Sequence, residues 1–140
     1  MLFMRFYCSL ISIEKIFFSG FILKIKASGV LGELGIYPGH SHLLTYLKPG
    51  LLLIKKESKN KEYIYLSTGI MEVKPKKVTI FADTIIFKKD LNKKLILEEK
   101  KKLEKKIKNE DFGIHSKNCI LNKLQESLEK LKIINMIDFS

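Results

Sequence analysis

The sequence predicts an α+β chain, an N-terminal β-sandwich followed by a C-terminal antiparallel two-helix hairpin. Three observations predict it. Between Phe3 and Phe87 the apolar residues fall in short runs separated by turn residues, with no helical period, as many short strands require. From Lys88 to Ser140 there is one glycine, Gly113, and no proline. In that second part Leu and Ile recur every three or four residues amid Glu and Lys, the pattern of amphipathic helices.

Phe3 to Ser9 reads as a first strand, leading into a turn across Ile13 to Gly20. Ile22 to Ala27 alternates Ile22, Lys24 and Lys26 with Leu23, Ile25 and Ala27, so its two faces differ. Three glycines and a proline then fall within Gly32 to Gly39, which predicts a rigid turn, because glycine supplies positive φ and proline presets the bend. Leu51 to Ile54 and Tyr63 to Leu66 flank Glu57-Ser58-Lys59-Asn60-Lys61, a polar hairpin tip. Ile70 to Val73 and Val78 to Phe81 are strands separated by Lys74-Pro75-Lys76-Lys77, and Thr84 to Phe87 is one more.

The composition shift at Lys88 predicts a domain boundary, giving 1–88 as the sandwich and 89–140 as the hairpin. Leu91, Leu95, Leu103 and Ile107 fall on helical spacing to about Lys108, with Glu98 placed to meet Lys102 and Glu104 to meet Lys108. Asn109 to Gly113 break the period. Leu121, Leu124, Leu128 and Leu131 then form a seam on a second helix, with Ile114 one heptad upstream. Such a hairpin buries little alone, so it docks on the β domain or lies along another protein.

The net charge of +11 calls for an anionic partner, yet it is not one patch: 12 Lys or Arg stand against 6 Asp or Glu up to Phe87, and 14 against 9 after it. Cys8 and Cys119 are far apart and lack C-x-x-C spacing, so reduced thiols are expected rather than a disulfide or a zinc site. The apolar start, Met1 to Ile11, is cut by Glu14-Lys15, and no uninterrupted apolar run of about 18 residues exists, so neither a signal sequence nor a membrane span is expected.

Chemistry is sparse. The glycine stretch lacks the G-x-x-x-x-G-K-[ST] pattern of a phosphate-binding loop. His40 and His42 alternate but have no supporting ligand at metal spacing, and Ser41, His115 and Asp83 have no nucleophile elbow around them. Lys55, Lys56, Lys59 and Lys61 with Tyr63 and Tyr65 are the best candidates for a nucleic-acid platform, the alternative being a solvated hairpin tip. Lys100-Lys101-Lys102 and Lys105-Lys106 read as a solvent face.

Gly32-Glu33-Leu34-Gly35-Ile36-Tyr37-Pro38-Gly39-His40, together with Tyr63 to Val73, Val78 to Thr84 and the charged helical tail, resembles the epsilon subunit of F-type ATP synthases. The resemblance implies a non-catalytic rotor subunit, without cofactor or metal, whose sandwich grips the gamma subunit and whose glycine-rich loop faces the ring of c subunits. By position, Glu33 and His40 become c-ring contacts, and Gly32, Gly35, Tyr37, Pro38 and Gly39 the docking loop. The hairpin would reach the alpha and beta subunits and restrain ATP hydrolysis, with Leu124, Leu128 and Leu131 as seam and Lys123, Lys130 and Lys132 meeting acidic beta residues. The chain would be peripheral, at the cytoplasmic face of a bacterial inner membrane or at a plastid thylakoid, with no nucleic-acid partner. Some family members bind ATP through Leu/Ile-Asp-x-x-Arg-Ala; here the stretch is Leu91-Asn92-Lys93-Lys94-Leu95-Ile96, so Asn92 and Leu95 replace the carboxylate and guanidinium and ATP sensing is not expected. The rival reading is a basic RNA-binding module with a small β domain and a coiled hairpin.

Overall fold

The computed structural model describes residues 4–57, 59–109 and 114–136, and for 109, 114 and 115 the backbone alone. Ten strands precede two helices: β1 (Phe6–Ile11), β2 (Ile16–Ile22), β3 (Lys24–Gly29), β4 (Gly32–Ile36), β5 (Leu43–Leu47), β6 (Gly50–Glu57), β7 (Asn60–Leu66), β8 (Gly69–Lys74), β9 (Lys77–Ala82) and β10 (Ile85–Phe87), then α1 (Lys93–Asn109) and α2 (Ile114–Ile134). The hydrogen-bonded path runs β10-β7-β6-β3-β5-β8-β9-β1-β2, with β4 added on β3. All pairings are antiparallel except β1 with β9.

The inward positions follow the period of two. Phe6, Cys8 and Leu10 of β1, Leu52 and Ile54 of β6, Ile64 and Leu66 of β7, Met71 and Val73 of β8, and Val78, Ile80 and Ala82 of β9 share one core. This is the sandwich expected, reached with three differences. The turn expected over Ile13 to Gly20 is confined to Ile13 and Glu14, and Ile16 onward is strand β2, whose Gly20 lies opposite Cys8 and whose buried Ile22, opposite Phe6, ends it at the Leu23 bend instead of opening the strand expected over Ile22 to Ala27 on its lysine face. Ser19-Gly20 looks like a turn signal, but the phenylalanines and isoleucine around it have a strand to pair with. The glycine-rich stretch is half strand, since Gly32–Ile36 pairs with Lys24–Gly29. Leu43–Leu47, not anticipated as a strand, is β5, pairing with β8 along its whole length.

Both helices lie where the spacing places them. Asn92 caps α1: its side-chain Oδ1 accepts from the Leu95 amide at 3.2 Å and its carbonyl from the Ile96 amide, satisfying donors that a helix start leaves open. The observed ion pair across α1 is Lys100 with Glu104 at 3.9 Å, rather than the two pairs expected. Residues 110–113, where the expected break falls, lie outside those described. The helices pack on each other, and α2 also packs on β6 and β7.

Candidate interaction surfaces

The glycine-rich stretch forms two structures rather than one loop. At one end Val30 and Leu31 make the β3–β4 turn, closed by Gly32 at φ +134, a value that disfavours any side chain. At the other, Tyr37-Pro38-Gly39-His40 is a tight turn in which the His40 amide donates to the Tyr37 carbonyl at 3.2 Å and Gly39 takes φ +83, so proline and glycine stand where a type II turn needs them. The Gly39 amide donates to Pro75, which ties this turn to the β8–β9 connection. Gly35 is ordinary strand.

Glu33 and His40 therefore sit at opposite ends of β4 and are not brought together. Glu33 is exposed and pairs with Lys26 at 3.4 Å across the hairpin. His40 is half-buried, its Nδ1 2.7 Å from the Ser41 carbonyl oxygen. Among the described residues no group of three or more His, Cys, Asp or Glu is placed to hold a metal ion. Of the Ser41, His115 and Asp83 set, the His115 side chain lies outside the described residues.

The outer surface of the sandwich has two unlike parts. Over β6 and β7 it is covered by α2. Tyr65 projects outward from β7 yet is only 1% exposed, and Ser127 and Ile133 of α2 are buried. Lys130 lies over the Tyr65 ring, its Nζ 5.0 Å from the centroid. Burial, then the nearby Glu126 and Glu129, push the Tyr65 phenol well above the ordinary tyrosine range. Lys56, a candidate for a nucleic-acid platform, pairs with Glu62 at 3.4 Å and stands over Phe18. With Tyr65 under a helix, that platform has lost one of its two stacking rings.

Over β5, β8 and β9 the outer surface is open and carries an apolar row beside Glu72 and Thr79. Tyr46, Ile70 and Phe81 form a cross-strand row in direct register, with exposures of 63%, 42% and 46%, and Leu44 stands beside it on β5. Val30 and Leu31 extend the patch, because the Val30 amide donates to the Tyr46 carbonyl and Leu31 is almost wholly exposed. No helix among the described residues covers this face. Sequence reasoning missed these residues, although a signal existed: β5, β8 and β9 carry apolar residues at outward as well as inward positions, which an antiparallel sheet facing water on one side does not need.

The expected seam on α2 is split. Leu124 and Leu131 are half-buried, while Leu121 and Leu128 are exposed. Of the three lysines expected to meet acidic residues elsewhere, Lys130 is engaged with Tyr65, Lys132 pairs with Glu129 at 3.3 Å, and Lys123 is exposed. Cys8 is fully buried and its thiol is pushed up to about 12 by burial, whereas Cys119 is exposed.

A family model for the ATP synthase Delta/Epsilon chain beta-sandwich domain matches residues 5–88. Among solved structures, one similar chain is in the Euglena gracilis mitochondrial ATP synthase, OSCP/F1/c-ring in rotational state 1, with TM-score 0.77 and 18% identity, over 91% of this chain and 81% of that one. Another is in the central stalk and c-ring structure of the Tetrahymena thermophila mitochondrial ATP synthase, with TM-score 0.64 and 18% identity, over 94% and 98%. These likenesses extend through the helices, beyond the part that the family model matches. The chain thus belongs to the Delta/Epsilon family of ATP synthase subunits, with the β-sandwich and two C-terminal helices of the epsilon fold.

Proposed function

We propose that this chain is a non-catalytic rotor subunit of a proton-translocating F-type ATP synthase, joining the gamma subunit to the c-ring and restraining ATP hydrolysis through its helices. The observation that carries the reading is the uncovered apolar row of Tyr46, Ile70 and Phe81 with Leu44 beside it. A patch of this kind on an otherwise charged chain marks a protein contact, and it stands apart from the face that the chain's own helix covers. We assign it to gamma. The Val30-Leu31 turn, continuous with that row and followed at once by Glu33, is then placed to reach the c-ring, with His40 at the far end of β4 making a separate contact.

Association with the membrane comes through the complex. No described helix is long and apolar enough to cross a membrane. In a bacterium the chain would sit at the cytoplasmic face of the inner membrane.

The hairpin reads as a two-state element. With α2 on the sandwich, Lys130 and Lys132 are occupied, so an acidic surface of a beta subunit competes with contacts already made. The test of the gamma assignment is Ile70→Asp with Phe81→Asp. Both residues are exposed, so the isolated chain should stay folded, losing about 1–2 kcal/mol to like charges in direct register, while its affinity for gamma falls by at least about a hundredfold, as expected for charges placed in a desolvated contact. Unchanged affinity would remove gamma from this face.

A further inference from the structure

The face of α2 that meets the sandwich carries charge as well as apolar side chains. Glu126, Glu129 and Lys130 stand half-buried near Tyr65, and Ile133 on the same side of the helix is fully buried, while Leu121 and Leu128 stay exposed. Tyr65 and Ile133 bring apolar burial to this contact, but half-buried charges lose water there, a cost that partners for them must offset. Tyr63 and Tyr65 stand two residues apart on β7 and therefore project to the same side. Each carries a cation. Lys130 of α2 is over Tyr65 at 5.0 Å, and Lys88, in the turn after β10, is over Tyr63 at 5.2 Å. The same Lys88 Nζ donates to the main-chain carbonyl of Met136, just past the end of α2, where helix carbonyls lack partners and a positive charge is favoured.

We propose that Lys88 and Lys130, held on the Tyr63–Tyr65 pair, latch α2 to β7 and set how often the helix leaves the sandwich. Lys130 is fixed to the helix and loses its ring when the helix departs. Lys88 stays with the sandwich and releases the Met136 carbonyl at the same moment. Both cations therefore favour the docked state. For Lys130 this is opposite in sign to what its charge alone suggests, because an acidic partner must first remove it from Tyr65. The consequence for ATP hydrolysis rests on the rotor reading above, whereas the latch itself is a property of the isolated chain.

The test uses the full chain with spin labels at the exposed Cys119 and at Glu57→Cys, the buried Cys8 being closed to the reagent. Pulsed electron resonance reads the distance between them in the parent, in Lys130→Met, which keeps the aliphatic stem, in Tyr65→Leu, and in the double variant. Each single change should raise the undocked population about fivefold to thirtyfold, and the double should fall short of the product, since losing either partner ends the contact. Lys88→Met should act in the same direction. Tyr65→Phe keeps the ring and should stay docked, which covers the case that Tyr65→Leu fails to fold. Failure to bind gamma would sink the rotor reading without touching these distances. An unchanged distance distribution in Lys130→Met, undocking by Tyr65→Phe as large as that by Lys130→Met, or effects that simply multiply would each overturn the latch.

Discussion

The sandwich has two outer faces, and they handle exposed side chains in opposite ways. Over β6 and β7 the face presents Leu51, Leu53, Tyr63 and Tyr65 and is covered by the chain's own α2. Over β5, β8 and β9 it presents Leu44, Tyr46, Ile70 and Phe81 and is left open. Both faces carry apolar side chains, and the chain's own helix covers one of them. Burial stabilises by roughly 25 cal/mol per Å², and the half-buried Glu126, Glu129 and Lys130 beside Tyr65 offset part of that gain, which suits a helix that comes and goes better than a wholly apolar seat. A lasting subunit contact is well served by one. On the function proposed above, the self-contact is the reversible one and the open face is kept for a lasting neighbour.

Deleting residues 91–140 breaks the comparison on one side only. It uncovers Tyr65 while leaving Tyr46, Ile70 and Phe81 untouched. The truncated chain should hold gamma within about threefold of the full chain in a pull-down, and should self-associate more at high concentration because a second aromatic face is now exposed. Loss of gamma binding would mean that the hairpin is part of the gamma site. A smaller effect sharpens the open face: Glu33→Lys sets like charges across the β3–β4 hairpin by replacing the partner of Lys26. It should weaken coupling of proton flow to ATP turnover in reconstituted vesicles while costing the fold no more than about 1 kcal/mol, as for an exposed pair. Equal loss of coupling and of gamma binding would show that the hairpin had misfolded.

The core supplies the smallest effect. Cys8 is neutral in the folded chain with its thiol raised from an ordinary value of 9.0 to about 12. A group raised on folding contributes stability in full below its unfolded value, and the contribution is lost as pH rises towards the folded one. The Tyr65 phenol, also raised, acts with the same sign from its ordinary value of 10.0 upward. Urea midpoints should therefore fall between pH 9 and 11, less steeply in Cys8→Ala, and a thiol reagent at pH 8 should modify Cys119 fast and Cys8 only on unfolding. An unfolding midpoint flat across that range would contradict the burial of Cys8.

The fold was legible in the sequence where one period ruled. Inward positions of β3, β6, β8 and β9 and the spans of both helices follow directly from spacing of two or of three and four. It was illegible where a local signal competed with pairing: Ser19-Gly20 looked like a turn inside β2, and Gly35 looked like loop inside β4, because a glycine in the sequence does not say whether its φ is positive. Only Gly32 and Gly39 of that stretch use the freedom. Asn92 was read as standing where a ligand carboxylate is absent, and its role as a helix cap, which an Asn just before an apolar period also signals, was missed. The candidate surfaces were hardest. Tyr63 and Tyr65 could be noticed as aromatics among lysines, but that α2 buries Tyr65, and that the leucine seam splits with Leu121 and Leu128 outside, depends on how the hairpin meets the sheet, which no local pattern encodes.

The central claim is that the open face over β5, β8 and β9, and not the α2-covered face, receives the gamma subunit. Hydrogen exchange of the full chain with and without gamma tests it directly. Slowed exchange is expected at 44–47, 69–72 and 79–82, with 62–66 and 120–134 unchanged. Slowed exchange confined to 62–66 and 120–134 would contradict it.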